Sequence, residues 1–541
     1  MPSSRFERPT HIIQGLPHGA GLRGIPMFTS YPTEFDTLYA LSDLLLMSRH
    51  PKPNPAVHEP LPALIESLGQ EDPEQRLALV LNGNVFDFGV TPAGLYQDPH
   101  EALFTLETMP PTSLEARFLK ALANFLSQPN RFLIWITGDR DAALAYPSVQ
   151  VRLRGLIGLT RDQNARLIFC DDDTGFITKV GGARVLCLHG HEFDHWNAVD
   201  QEEIRQRIAA ENRGIAVPSA TPNPAARLAI NLLASMRLKY PWLDLLQPLS
   251  RDLIPLLAVL DPTILPKLSS LLDGDARAET ESEPTTPRHL HFRYPHCPPN
   301  RDRDRVRHLF LEAMEQVRVA RPERSHLDEL MRQTEKRLWQ GEDPVSLAET
   351  ADQMLSAGEL SLECELEPLI ANENDRLLAA RAFLHRLING DRSFQLDLGD
   401  DQFEKIHMSV DPSIPFVVTG FSQRARALKR PSGSIYFNSG SWREALDLDV
   451  SSLDPETFEV LWQLLNHVDT GLERLRGQEP LGRPLMRPTR HLICIRADAK
   501  GATGWLGEWV APTKPDANGA EEERAGHFEA VAQSTFRFSI N

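Results

Sequence analysis

Five short polar clusters stand out along the chain: Ser42-Asp43-Leu44-Leu45, Gly83-Asn84-Val85-Phe86-Asp87, Gly138-Asp139-Arg140-Asp141, His189-Gly190-His191 and Gly420-Phe421-Ser422-Gln423. Carboxylates, imidazoles and amides are the side chains that hold divalent cations and share protons. Each cluster follows a short apolar run of the kind that forms a strand. In open α/β sheets, polar residues just past the carboxyl ends of strands converge on one crevice. Any one cluster is more simply a turn, but five in the same setting point to a common site. A further group, His289, His291, His296 and Cys297, has no standard zinc spacing and reads as chance proximity in a linker.

The elements that would carry these clusters follow from periodicity. Nearly continuous apolar runs at 38–47, 77–82, 132–137, 165–170 and 184–188 predict strands buried on both faces. Residues 113–128 predict a helix, with Thr112 and Glu115 as a capping box, an apolar face of Leu114, Phe118, Leu122 and Phe125, and Pro129 as its stop. Between about 195 and 400 the strand signal is lost, and helical spacing appears at 228–238, 306–319 and 374–389. The stretch 276–305 is rich in Pro, Arg, Glu and Thr and reads as a flexible linker. Strands return at 416–419, 434–438, 491–497 and 504–510, and 513–526 reads as a mobile tail segment.

The expected organisation is an N-terminal extension (1–35), an α/β domain in two pieces (36–200 and 400–510), a helical insertion (200–400) and a C-terminal tail (511–541). The apolar residues of 228–272, including Trp242, Leu245, Leu246, Leu249, Leu253 and Leu256, read first as the insertion's own core. A lid over a lipid-like ligand or a docking face is the sharper alternative.

Composition bounds the function. The 541 residues are 41% hydrophobic and 24% charged, with a formal net charge of -17. That balance is wrong for nonspecific nucleic-acid binding, which needs clustered Lys and Arg. Cys170, Cys187, Cys297, Cys364 and Cys494 form no C-x-x-C pair, and Cys187 and Cys494 sit in apolar runs, so no disulfide framework is expected. Residues 1–24 contain no apolar h-region, and no apolar stretch is long enough to span a membrane. The expected location is cytoplasmic.

The order LSDLLLM, LNGNVFDF, ITGDRD, CLHGHEFD, VTGFSQ and IYFNSGSW resembles the calcineurin-like metallophosphoesterase superfamily, whose pattern runs D-x-H, G-D-x-x-D, G-N-H-D/E, a later H, then G-H-x-H. The resemblance covers residues 38 to about 442 without the helical insertion, which is similar in place to the lids of UDP-diacylglucosamine hydrolases. It implies an α/β/β/α sandwich interrupted by that mainly helical insertion. It also implies two divalent cations that activate a bridging water.

Carried onto this chain, the first metal's ligands fall on Asp43, Leu45, Asn84 and Gln423, and the second's on Asn84, Asp139, His189 and Phe421. Leu45, Phe421 and Gln423 are lost-ligand positions, and Asn84 removes the bridging charge. Asp43, Asn84, Asp139 and His189 form a degenerate set for at most one ion (Mn, Mg, Zn or Fe), and no cofactor is expected. The catalytic His position holds Arg140, which cannot act as a general acid near neutral pH. No catalytic residue is therefore expected.

Arg140 reads first as a counter-charge holding Asp43, Asp139 and Asp141 together. With His191, itself read first as structural, it is also the candidate anion contact. Asp87 and Asp141 would orient turns or ligands. The resulting expectation is a catalytically impaired scaffold or regulatory subunit with a protein partner. The alternative is a one-metal phosphoesterase or a phosphate or nucleotide sensor built on Asp139, His189 and Arg140.

Overall fold

The structure, a computed structural model, describes residues 34–48, 54–90, 94–246, 248–249, 253–264, 373–389, 394–447, 453–467, 472–480, 482–510 and 527–539. The expected linker (276–305), the helix at 306–319 and the tail segment 513–526 lie outside these residues, as do His289, His291, His296, Cys297 and Cys364.

The fold is mixed α/β. In one sheet β2 (Thr37–Leu41), β3 (Leu77–Asn82), β4 (Arg131–Ile136) and β5 (Leu167–Cys170) are parallel neighbours. β13 (His491–Asp498) adds antiparallel to β2, and β14 (Gly501–Val510) follows, pairing with both β15 (His527–Ala530) and β16 (Phe536–Ser539). The second sheet runs in the order β1 (Glu34–Phe35), β6 (Phe176–Val180), β7 (Ala183–Cys187), β8 (Phe416–Thr419), β10 (Ile435–Ser439), β9 (Ala425–Lys429). β11 (Glu444–Leu446) and β12 (Met486–Pro488) make a separate antiparallel pair.

Alternation along the strands sorts their side chains into two cores. Leu38, Ala40, Ala78, Val80, Ile134 and Ile136 of the first sheet share one apolar cluster with Val185, Cys187, Phe416 and Val418 of the second. The residues between them, such as Leu79, Leu81, Leu133 and Trp135, pack instead with Leu64, Ile65, Phe118, Leu122 and Phe125 of the helices Leu61–Gly69 and Leu114–Ser127. On the far side of the second sheet, Val417 and Tyr436 meet Phe403 and Ile406 of the helix Asp401–Ser409. Parallel strands buried on both faces account for the continuous apolar runs in the sequence.

A further core is helical. Leu228, Leu232, Trp242, Leu256 and Leu257 pack with Ala380, Phe383 and Leu384, and also with Phe458, Leu461, Trp462 and Leu465 from the later helix Pro455–Asn466. Trp242 Nε1 donates to the Leu465 carbonyl at 2.9 Å. Trp242, Leu249, Leu253 and Leu256 are thus core residues, with Leu245 and Leu246 packed against them.

Local expectations change in detail. The helix at Leu114 is capped by Ser113, whose side chain accepts from Ala116 N, and not by a Thr112–Glu115 box. The apolar run 38–47 is strand only to Leu41, because Asp43, Leu45 and Met47 all have positive φ and turn the chain. Glu34–Phe35, at the end of the segment read as an extension, pairs parallel to β6. No helix among the described residues is long and apolar enough to cross a membrane.

Candidate functional site

The five polar clusters lie just past the ends of β2, β3, β4, β7 and β8, and backbone bonds lock these ends together. Asp43 N donates to Gly83 O at 3.0 Å, and Gly420 N donates to His189 O at 3.0 Å. Asn82 Nδ2 crosses between the sheets to Leu188 O at 2.8 Å. The approach is close enough to require glycine: a Cβ on Gly83 (φ +87) would lie 2.2 Å from His189 Cδ2. Asp43, Leu45, Asn84, Phe421 and Gln423 all hold left-handed φ, between 41 and 58°. Non-glycine residues pay on the order of 1 kcal/mol each for that conformation, and such strain concentrates at functional sites.

Asp43 and Asp139 face each other across the Asn84 amide. Asn84 Nδ2 donates to Asp43 Oδ1 at 3.0 Å and to Asp139 Oδ1 at 2.9 Å. The amide cannot be reversed, because Asn84 Oδ1 accepts from the Arg140 backbone N–H at 2.8 Å and a peptide N–H can only donate. Gln423 is oriented in the same way. The Arg443 Nη1 donates to Gln423 Oε1 at 3.1 Å, so Gln423 Nε2 is left to donate to Asp43 Oδ1 at 3.3 Å. Ser42 Oγ completes the set, donating to Asp43 Oδ2 at 2.5 Å.

His189 lies within ion-pair distance of both carboxylates. Its Nε2 lies 3.5 Å from Asp43 Oδ2 and its Nδ1 lies 3.9 Å from Asp139 Oδ1. Burial alone would lower the imidazole pKa, but Asp43 and then Asp139 more than offset it and raise it to about 9. A doubly protonated His189 donates from Nδ1 to His191 Nδ1 at 3.0 Å, which places the His191 proton on Nε2, 3.4 Å from Asp173 Oδ1. His191 is therefore enclosed by His189, Asp173 and Glu192. Phe421 is buried with its ring edge-on to His189, 5.8 Å between centroids.

Arg140 is placed differently from the sequence expectation. Its side chain does not gather Asp43, Asp139 and Asp141. Nε and Nη2 instead form a bidentate pair with Asp87 at 2.9 and 2.8 Å, and Ser48 Oγ adds a third bond to Asp87 at 2.7 Å. Burial would raise the Asp87 pKa, yet Arg140 holds it below the usual carboxylate range. What joins Asp43 to Asp139 is the Asn84 side chain, positioned by the Arg140 main chain. Asp141 caps the turn by accepting from Gly138 N at 2.6 Å and Val85 N at 2.9 Å. Its burial pushes its pKa up to about 6 despite those donors.

Arg443 was invisible as a site residue, although it directly follows the IYFNSGSW segment. It links the crevice to the helical core through Nη2, which donates to Asp244 O at 2.9 Å. Arg237 Nε lies 2.5 Å from Asp244 Oδ1 and extends the path into the helices. Burial, followed by the nearby Arg140, lowers the Arg443 pKa to about 10.

The chemistry of the donor set is clear. A cation needs electron pairs, whereas Asn84 presents N–H to both carboxylates and Gln423 presents N–H to Asp43. Among the described residues, no three His, Cys, Asp or Glu side chains converge as a metal-holding group. The sequence matches no protein-family model, and no curated protein matches it.

Two outcomes follow. The His189 pKa in the folded chain is above its unfolded value of 6.5, so its stabilising effect is complete below that pH and is lost as pH rises through about 9. Urea denaturation should show the stability gap between wild type and His189→Gln largest near pH 6 and closing toward pH 10; a constant gap would contradict the charged assignment. Replacing Asn84 by Asp removes both N–H bonds and adds a third buried carboxylate. Asn84→Asp should cost about 3 kcal/mol or more at pH 8, with partial recovery at pH 5 as carboxylates protonate. Unchanged stability at pH 8 would show that the amide does not bridge the acids.

Proposed function

We propose that this chain is a metallophosphoesterase-like protein that has exchanged its metal clamp for an internal hydrogen-bond network and acts as a binding or regulatory subunit beside another protein. The packing of the two sheets, with helices on their outer faces, supports an α/β/β/α sandwich. The helical core reads as the insertion, joined by the later helix Pro455–Asn466. Left-handed φ at Leu45, Phe421 and Gln423 supports the same descent. The turns that would aim ligands are kept, while side chains that cannot serve occupy them.

The observation that carries this reading is the orientation of Asn84 and Gln423. Two-metal hydrolysis needs a carboxylate bridging paired cations, which together lower the pKa of a shared water. Here the bridging position donates protons to both flanking acids, and His189 supplies charge that an ion would otherwise bring. The position matched to the general acid holds Arg140, and Asp87 keeps its guanidinium firmly protonated, so it cannot release a proton to a leaving group. A scaffold role follows from a preserved frame without its reactive centre. The net charge of -17 is compatible with a basic partner face and itself serves solubility.

The one-metal or sensor reading depends on Asp139 and His189 offering free lone pairs. It is weakened by the amide donor on Asp139 and by the proton on His189.

A hydrolysis screen separates the two readings. Phosphomonoesters, phosphodiesters and nucleotides with Mn, Mg, Zn or Fe ions should give no turnover above that of His189→Ala. Metal-dependent turnover abolished by His189→Ala would replace the scaffold reading with the one-metal enzyme.

A further inference from the structure

A cavity of about 290 Å³ lies between the crevice and the helical run 224–239. That volume is close to the small end of ligand pockets, roughly 300 Å³. Its polar end is made by Tyr96, Asp139 and Arg140, and its apolar wall by Ala226, Ala229, Ile230 and Leu249. Ala229 and Ile230 belong to a π-helical turn, Ala229–Leu233, set within an otherwise α-helical run. Such turns widen a helix and recur at functional sites.

The hydrogen-bond inventory sets the ligand's chemistry. Arg140 spends Nε and Nη2 on Asp87, and its Nη1 makes no hydrogen bond to a described residue. The Tyr96 hydroxyl accepts from Gln97 Nε2 at 2.7 Å and donates to no described residue. Burial, and then Asp139, hold this phenol well above its ordinary pKa, so it serves as a donor. Asp87 and Asp139, the acids beside these two donors, are already matched, Asp87 by Arg140 and Asp139 by Asn84 and His189, while Glu101 also lines the cavity. Two donors are therefore spare beside two committed carboxylates. A monoanion with two acceptor oxygens suits that arrangement. A dianion would meet both acids, and a cation would meet Arg140 and Arg237, which also lines the cavity.

We propose that this cavity binds a small apolar monocarboxylate, its head on Arg140 Nη1 and the Tyr96 hydroxyl and its hydrocarbon part against the π-helical wall.

Titration calorimetry with octanoate tests it, with octyl phosphate and octylammonium as the competing head groups. Octanoate should bind saturably to the full chain and at least tenfold more tightly than either alternative. Ile230→Trp, which fills the cavity from the helix side, should weaken octanoate binding at least tenfold. Tyr96→Phe, which removes one donor and little volume, should weaken it about fivefold. Circular dichroism verifies that each variant folds; should Ile230→Trp fail, Tyr96→Phe decides. The proposal is overturned by absent saturable octanoate binding, by equal or tighter binding of octyl phosphate or octylammonium, or by folded variants that bind octanoate as the wild type does.

Discussion

Two carboxylates at the ends of strands that flank a shared neighbour, as β2 and β4 flank β3, repel each other unless something positive or proton-donating sits between them, and Asp43 and Asp139 set that constraint here. Coulomb repulsion rises steeply in a low-dielectric site, so the space between them must be filled by a cation or by donors. This chain uses donors. The Asn84 amide gives one N–H to each acid, and its orientation is fixed by an N–H that cannot accept. Gln423 and Ser42 add bonds to Asp43, and the His189 imidazolium offsets one of the two negative charges.

The same network ties the layers of the molecule together. From Asp43 it runs through Gln423 and Arg443 to the Asp244 carbonyl, and so to the helical core that holds Trp242 and Leu243. Arg140 contributes twice, by its main chain to Asn84 and by its side chain to Asp87 at the floor of the cavity. Changes in the helical wall are thereby linked to the crevice by charged and hydrogen-bonded groups rather than by apolar contact alone. A ligand or partner on the helical side would have a physical route to the strand ends.

Much of the α/β frame was legible because parallel strands buried on both faces leave continuous apolar runs. β3 and β8 coincide with the runs 77–82 and 416–419. β6 was missed because it alternates, with Ile177 and Lys179 turned outward; β11 and β12 are only three residues each, too short for any period. Arg131 and Arg426 are wholly buried in strands, which no hydrophobic pattern would suggest. Arg131 is accommodated because backbone carbonyls, among them Gly69 O and Gln75 O, surround its guanidinium. At the site, the residue types and their shared crevice were readable, whereas the pairings were not. Which acid Arg140 meets, and which end of an amide faces it, depends on left-handed turns and on Arg443, placed just past β10.

N–H donors fill the space between Asp43 and Asp139. Crystals grown with millimolar Mn²⁺ and measured at the manganese absorption edge address it directly. No anomalous peak is expected within bonding distance of these two carboxylates, and the Asn84 amide nitrogen should face both. Two peaks about 3.5–4 Å apart at the strand ends, the spacing of a binuclear hydrolytic centre, would contradict it.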